Sequence, residues 1–322
     1  MKTIIITGGA GFIGSNFLNK YVLSNPDINF INVDCLTYAG KLENISEDVK
    51  NSKNYFFEKI DIRDLEKLRE IYKKYNPTDV IHFAAESHVD NSIKDPGIFM
   101  ETNVLGTLNL LILHKEFEMG RFHYVSTDEV YGELSDDPND KFKETTSIKP
   151  NSPYSVSKTS GDLLTLAYHR TFGLDVSVSR CSNNYGPNQD KEKLIPHFIW
   201  LLMNGKKVTL YGNGKNVRDW LYVEDHCDAI WDIFTKGKNG SVYNIGGDTE
   251  KTNLEITNTL LDAFDLDYSW ISFVADRPGH DKRYAIDFSK INKELGRKPK
   301  YDFDEGIKST IKFYKNYFNS IK

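Results

Sequence analysis

The chemistry available to this sequence is concentrated in a tyrosine, a lysine and two adjacent carboxylates. Tyr154 and Lys158 stand four positions apart in Tyr154-Ser155-Val156-Ser157-Lys158, which on a helix puts a phenol and an ammonium on one face. A nearby cation stabilises a phenolate, so the spacing predicts a Tyr154 pKa below its ordinary value of about 10. Such a phenolate is a usable base for a hydroxyl proton at neutral pH. Lys158 has a second expected use, holding a ribose. The carboxylates are Asp128 and Glu129, directly after Ser126-Thr127. Two close carboxylates push each other's titrations apart, so one can hold a proton while the other is ionised. Taking a proton from the carbon beside a ketone and expelling a hydroxyl as water from the next carbon needs such a pair, one base and one acid. Neighbours on an extended strand face opposite ways, so the chain must leave the strand at Thr127 for both groups to reach one ring.

Hydride chemistry needs a cofactor, and the amino-terminal stretch fits one. Gly8-Gly9-Ala10-Gly11-Phe12-Ile13-Gly14 follows an apolar strand and opens a helix, matching G-x-G-x-x-G from Gly9 and G-x-x-G-x-x-G from Gly8. Glycines there allow the tight turn and let the backbone approach a pyrophosphate at the helix N-terminus. Asp34 ends the next strand 20 residues after Gly14. A carboxylate there accepts from ribose hydroxyls and repels a 2′-phosphate. Cys35, Leu36, Thr37 and Tyr38 supply no arginine, so NAD is favoured over its 2′-phosphorylated form. Asp61-Ile62 is either an adenine contact or the opening of a helix. Phe83-Ala84-Ala85 offers small residues against which a cofactor or a packed backbone can lie.

These groups need a scaffold, and the hydropathy pattern supplies one. Short apolar runs at 3–7, 30–34, 55–59, 80–84, 122–126 and 176–180 alternate with amphipathic stretches at 12–23, 64–75, 100–116 and 153–171. That alternation predicts βαβ units and a doubly wound parallel sheet of the Rossmann type, an α/β fold. Past residue 184 prolines, glycines and loops break the rhythm, with a helical pattern at 224–236, a strand at 242–245 and a capping box at Thr252–Glu255. We expect a cofactor domain of residues 1–184 plus about 224–250, and a smaller substrate lobe of 185–223 plus 251–322. The 100–116 helix is apolar all round, which predicts burial on both sides; with 153–171 it is a candidate homodimer surface.

Bulk properties exclude other classes. Of 322 residues 39% are hydrophobic and 27% charged, with a formal net charge of −5. Such a charge attracts neither nucleic acid nor anionic lipid at long range. The apolar run at 105–113 is shorter than the roughly 20 residues of a membrane span. Cys35, Cys181 and Cys227 lie too far apart for a metal site or a disulfide framework. The expectation is a soluble cytoplasmic enzyme without a metal.

Across essentially its whole length the sequence resembles the extended short-chain dehydrogenases that act on nucleotide sugars. Within that group, Val125-Ser126-Thr127-Asp128-Glu129-Val130-Tyr131-Gly132 is similar to the 4,6-dehydratases, whereas epimerases carry small or non-acidic residues at the two carboxylate positions. The resemblance implies NAD as cofactor and dTDP-glucose as substrate, with Glu129 the base at C5, Asp128 the acid at C6 and Thr127 bonded to the C4 oxygen. It adds Thr102 and Asn184 to the cofactor contacts. For the nucleotide sugar it implies Ser87, Asn183, Lys193, Leu194, Thr209, Tyr211, Arg218, Asn253, Arg277 and His280. Tyr211 is either a base-stacking ring or a core aromatic, and each cation taken alone reads as a surface charge. Unlike longer members, the chain keeps only a short acidic segment, 133–149, between the carboxylates and Tyr154. A UDP-sugar 4-epimerase, a UDP-glucose 4,6-dehydratase and a non-catalytic NAD-binding regulator are the competing readings.

Overall fold

The computed structural model describes residues 2–276 and 279–320. Twelve strands order the chain: β1 Lys2–Thr7, β2 Ile28–Val33, β3 Tyr55–Glu58, β4 Asp79–His82, β5 Arg121–Thr127, β6 Asp175–Cys181, β7 Asn183–Tyr185, β8 Val208–Tyr211, β9 Val217–Tyr222, β10 Ser241–Ile245, β11 Glu250–Thr252 and β12 Ile271–Val274. Seven of them form one sheet in the order β10-β6-β5-β4-β1-β2-β3, every pair parallel. The chain winds outward in both directions from the β1–β4 junction. In open α/β sheets ligands bind outside the carboxyl ends of the strands at such a switch point.

Period-two alternation builds both faces of the sheet. Ile4, Ile6 and Phe30 point into a core shared with the helices Phe12–Tyr21 and Val223–Lys236, through Phe17, Leu18, Ile230 and Ile233. Ile5, Ile31, Val33, Val80, Phe122 and Val178 point the other way, against Leu68 and Ile71 of Leu65–Tyr75 and Leu110, Leu111 and Leu113 of Thr107–Glu116. Each fully buried branched side chain contributes about 1.5–3 kcal/mol. A separate core gathers Ile195, Phe198, Ile199, Leu202, Leu210, Ile256, Leu260, Ile307 and Tyr314 around the small β11-β9-β7 and β12-β8 sheets.

The helix expected over 100–116 begins earlier and is not uniform. It runs Pro96–Met100, loosens into a π turn over Glu101–Gly106 and resumes as Thr107–Glu116. Asn103 in the π turn explains the position of that loosening. Its amide donates to Glu86 O (2.9 Å) and Ser157 Oγ (2.8 Å) and its oxygen accepts from Glu86 N (2.8 Å). Among the described residues Pro96–Glu116 is also the one helix long and apolar enough to cross a membrane, but Phe99, Leu110, Leu111 and Leu113 are wholly buried in the protein. The capping box forms: Thr252 Oγ1 accepts from Glu255 N (3.1 Å) and Glu255 Oε2 from Thr252 N (2.7 Å).

Candidate active site

A cavity of about 660 Å³ opens at the carboxyl ends of β1, β2, β4, β5 and β6. Its floor begins at the glycine turn. Gly8 has φ +70°, and a Cβ there would lie 2.6 Å from Ala84 N; a Cβ on Gly14 would lie 2.4 Å from Gly8 O. No larger residue leaves that cradle intact, so the turn and the Phe83-Ala84-Ala85 segment fit each other as the wall of a dinucleotide site. Gly11, Phe12, Ile13, Thr37, Ile62, Thr102 and Asn184 line the same cavity.

Two expected cofactor carboxylates already hold protein partners. Asp34 Oδ2 accepts from Ala10 N (3.0 Å) and Oδ1 from Leu36 N (2.8 Å), while burial pushes its pKa up. Each oxygen keeps a further lone pair for a ribose hydroxyl. Asp61 is gripped by Arg63 through Nη2 (2.7 Å), and Arg63 also pairs with Glu101 (3.0 Å). Sequence reasoning excluded an arginine near Asp34 by inspecting 35–38 only, yet Arg63 lines the cavity. Its charge is matched by two carboxylates, so it does not present an open site for a 2′-phosphate.

The catalytic candidates come from two elements. Strand β5 ends at Thr127, which caps a 3₁₀ turn over Asp128–Tyr131 by accepting from Glu129 N (3.3 Å). The chain therefore turns where both carboxylates must leave the strand. Facing it is the helix Pro153–Phe172, opened by a capping box in which Ser152 and Ser155 bond reciprocally. Thr127, Asp128, Glu129, Tyr154 and Lys158 all line the cavity.

Electrostatics separates these groups. Asp128 is 1% exposed, and burial, then Glu129 and Asp219, hold its carboxyl well above the usual range, with Arg218 pulling the other way. That shift favours the protonated form, the state an acid needs. Asp219, behind it, is raised by burial to about 6 although it accepts from Gly247 N (3.0 Å) and Thr249 N (2.9 Å). The expectation for Tyr154 is corrected. Burial and Glu129 hold the phenol well above its ordinary pKa, and only the Thr127 hydroxyl, in hydrogen-bond contact, draws it down. Lys158 does not lower it because its ammonium is turned to Val125 O (2.7 Å) and lies 4.4 Å from the Tyr124 ring centre. Burial in turn lowers Lys158 to about 8.

Four buried polar atoms of cavity-lining residues have no hydrogen-bond partner among the described residues: Asp128 Oδ2, Ser126 Oγ, Ser182 Oγ and Asn183 Oδ1. Buried polar atoms are nearly always paired, so this cluster marks where a polar ligand binds.

The remaining substrate candidates divide. Ser87 and Lys193 line the cavity with Asn183, and Lys193 Nζ donates to Ser87 O (2.8 Å). Leu194, Thr209, Tyr211, Arg218, Asn253 and His280 do not line it. Tyr211 and His280 meet edge to face at 6.3 Å, beyond its rim. Arg218 is 5% exposed, donating to Val217 O (2.7 Å) and Asp281 O (2.8 Å) with its guanidinium 4.3 Å from the Tyr284 ring centre. Asn253 begins the helix Asn253–Asp262 and its backbone N–H donates to Asn216 O (3.0 Å). Arg277 lies outside the described residues. Cys181, Ser182, Gln189 and Asp190 also line the cavity and escaped the sequence reading. The signal for the first two was the end of β6, since strand carboxyl ends carry sites in this architecture.

The segment after β7 crosses to the cofactor side. Asn16 Nδ2 donates to Pro187 O (2.9 Å), Asn188 Nδ2 to Ser15 Oγ and Asn44 O (3.3 Å each), and Lys41 pairs with Asp190 (3.6 Å).

The parallel sheet, the glycine cradle and a Tyr–Lys helix facing two carboxylates define a Rossmann enzyme of the extended short-chain dehydrogenase type. A family model described as GDP-mannose 4,6 dehydratase matches residues 5–310, and the chain belongs to that family. It is 47% identical to a dTDP-glucose 4,6-dehydratase of Salmonella typhimurium, over 97% of this chain and 92% of that protein. A dTDP-glucose 4,6-dehydratase from Streptomyces venezuelae, crystallised with NAD, superposes with a TM-score of 0.94 at 43% identity, covering 99% of this chain and 98% of that one. A UDP-glucose 4-epimerase of Thermus thermophilus, also with NAD, has a TM-score of 0.89 at 30% identity, covering 97% and 99%.

Proposed function

We infer that this chain is an NAD-dependent lyase that converts dTDP-glucose to dTDP-4-keto-6-deoxy-glucose and water. The observation that carries the reading is the buried Asp128 beside Glu129, its carboxyl pushed up by burial and its unpaired oxygen in the same cavity as Tyr154. Similarity to named dTDP-glucose dehydratases at 43–47% identity supports it over the epimerases. An epimerase has no use for an acid–base pair at C5 and C6.

Gly8, Gly11, Gly14, Asp34 and the Phe83–Ala85 segment would hold NAD along the cradle, with Lys158 at its nicotinamide ribose. When bound, NAD supplies a carbon that accepts the C4 hydride and returns it to C6. The positive charge of bound NAD would favour the Tyr154 phenolate against the burial that raises its pKa, and that phenolate would take the C4 hydroxyl proton, with Thr127 bonding the C4 oxygen. Glu129 then removes the C5 proton, the C6–O bond breaks, and Asp128 gives its proton to the departing hydroxyl, which leaves as water. Reprotonation at C5 accompanies the final hydride return, so the oxidation state of the whole is unchanged. Residues 1–184 with about 224–250 would serve the cofactor, and 185–223 with 251–322 the nucleotide sugar. A soluble, cytoplasmic chain fits this role.

Incubation of the purified protein with dTDP-glucose and no added reductant is expected to yield the 4-keto-6-deoxy product. Recovery of the 4-epimer, or of unchanged substrate, overturns the reading.

A homodimer through the helices at 96–116 and 153–172 is the matching quaternary arrangement. Leu105 (53% exposed) on the first helix, and Val156 (39%) and Leu163 (47%), seven residues apart on one face of the second, leave apolar side chains open on those helices. Leu163→Glu is expected to convert a dimer to a monomer in sedimentation velocity; a wild-type monomer at micromolar concentration removes the proposal.

A further inference from the structure

The acid–base pair and the Tyr–Lys pair ride on different elements, and a misplacement of about 1 Å between reacting groups can cost roughly 100-fold in rate. Outside the cavity a buried polar cluster joins the two elements. Arg180 on β6, 3% exposed, donates through Nε and Nη2 to the two oxygens of Asp162 (2.8 and 2.9 Å). Asp162 is wholly buried and one turn beyond Lys158 on the same helix. The third arm, Arg180 Nη1, donates to Tyr131 OH (3.0 Å), and Tyr131 is the last residue of the turn that begins at Asp128. The Tyr131 hydroxyl donates onward to Asn244 Oδ1 of β10 (2.8 Å), and its ring stacks on Phe142 at 5.0 Å.

Fork geometry explains the choice of residue. A guanidinium has five donors fixed in one plane, so bonds to Asp162 and Tyr131 at once set the distance and angle between them. Stability alone is a poor reason for such a cluster, because desolvation of a buried ion pair offsets most of its attraction. None of Tyr131, Asp162 and Arg180 lines the cavity, so none contacts substrate there.

We propose that Arg180, bridging Asp162 and Tyr131, is a positioning residue that holds the Asp128–Glu129 turn in register with Tyr154 and Lys158. The proposal rests on the dehydratase reading. Tyr154 and Lys158 have anchors of their own, the Ser152 cap and Val125 O. Loosening the bridge should therefore displace the carboxylates and slow elimination more than oxidation.

The test compares the holoenzyme with Tyr131→Phe, which keeps the ring stack, and Arg180→Lys, which keeps the charge but not the fork. Tyr131→Phe is expected to lower kcat about 10- to 100-fold, with KM for dTDP-glucose little changed and reduced cofactor accumulating during turnover. Arg180→Lys is expected to show the same signature. Melting temperature and cofactor content identify variants that have not folded. The proposal is overturned if folded Tyr131→Phe keeps wild-type kcat, or if kcat falls without accumulation of reduced cofactor. An unsubstituted chain that leaves dTDP-glucose untouched overturns the dehydratase reading, and this inference with it.

Discussion

The two walls of the cavity hold their polar groups differently. On the wall built by β1, β4, β5 and the Pro153–Phe172 helix, groups face inward with bonding capacity in reserve, as Asp128 Oδ2 and Ser126 Oγ do. Across from it, among residues after 186, the cations are engaged inside the protein: Lys193 on the cavity wall with Ser87 O, and Arg218, outside the cavity lining, with two main-chain carbonyls and the Tyr284 face. The catalytic wall is preorganised, which is where electrostatic catalysis draws its strength. We expect a ligand on the opposite side to displace those internal partners, so residues there should act on affinity more than on rate.

That contrast can be broken in four places. Substitutions on the catalytic wall should have the largest effect: Tyr154→Phe is expected to lower kcat by roughly 10²–10⁴-fold in a steady-state assay. Asp128→Asn should fall comparably or somewhat less, but it retains the first oxidation, so bound cofactor becomes reduced and stays so on addition of substrate. A variant that turns over normally takes Asp128 out of the acid role. Away from the catalytic wall, Arg218→Ala should raise KM about 10- to 100-fold, the loss of charge-assisted bonds of roughly 1.5–3 kcal/mol, while kcat moves little. If kcat collapses and KM holds, the contrast between the walls is wrong. The smallest effect concerns pH. Lys158 is depressed to about 8 by burial, so its ammonium is lost as pH rises through that value. The kcat/KM profile should then show an alkaline limb near pH 8, and Lys158→Arg should move that limb upward.

The parts read most fully from sequence were those whose neighbours in space are neighbours in the chain. The glycine turn, the capped helix bearing Tyr154 and Lys158, and the turn after Thr127 are each local, so residue type and spacing located them. Asp34 fell just past its strand rather than inside it, because Asp34 Oδ1 accepts from Leu36 N in a turn that ends the extended backbone. What escaped was long-range. The depressed Tyr154 pKa failed because Val125 O, from a different strand, takes the Lys158 ammonium. Arg63 was missed because it reaches the cofactor wall from the third βα junction; Arg218 was named, but its place outside the cavity lining was not legible, because packing against Asp281 and Tyr284 decides where its guanidinium points. The π turn at Glu101–Gly106 has no signature in hydropathy, being set by the partners of one asparagine.

The crossing of residues 187–190 over Ser15, Asn16, Lys41 and Asn44 bolts the far rim of the cavity to its cradle. Each such hydrogen bond contributes about 0.5–1.5 kcal/mol, and all must open together before anything lying along the first helix can slip out sideways. A redox molecule that ends every round in the state it began has no need to leave. We expect the seam to let one retained molecule serve round after round, checked by cofactor that stays with the protein through gel filtration.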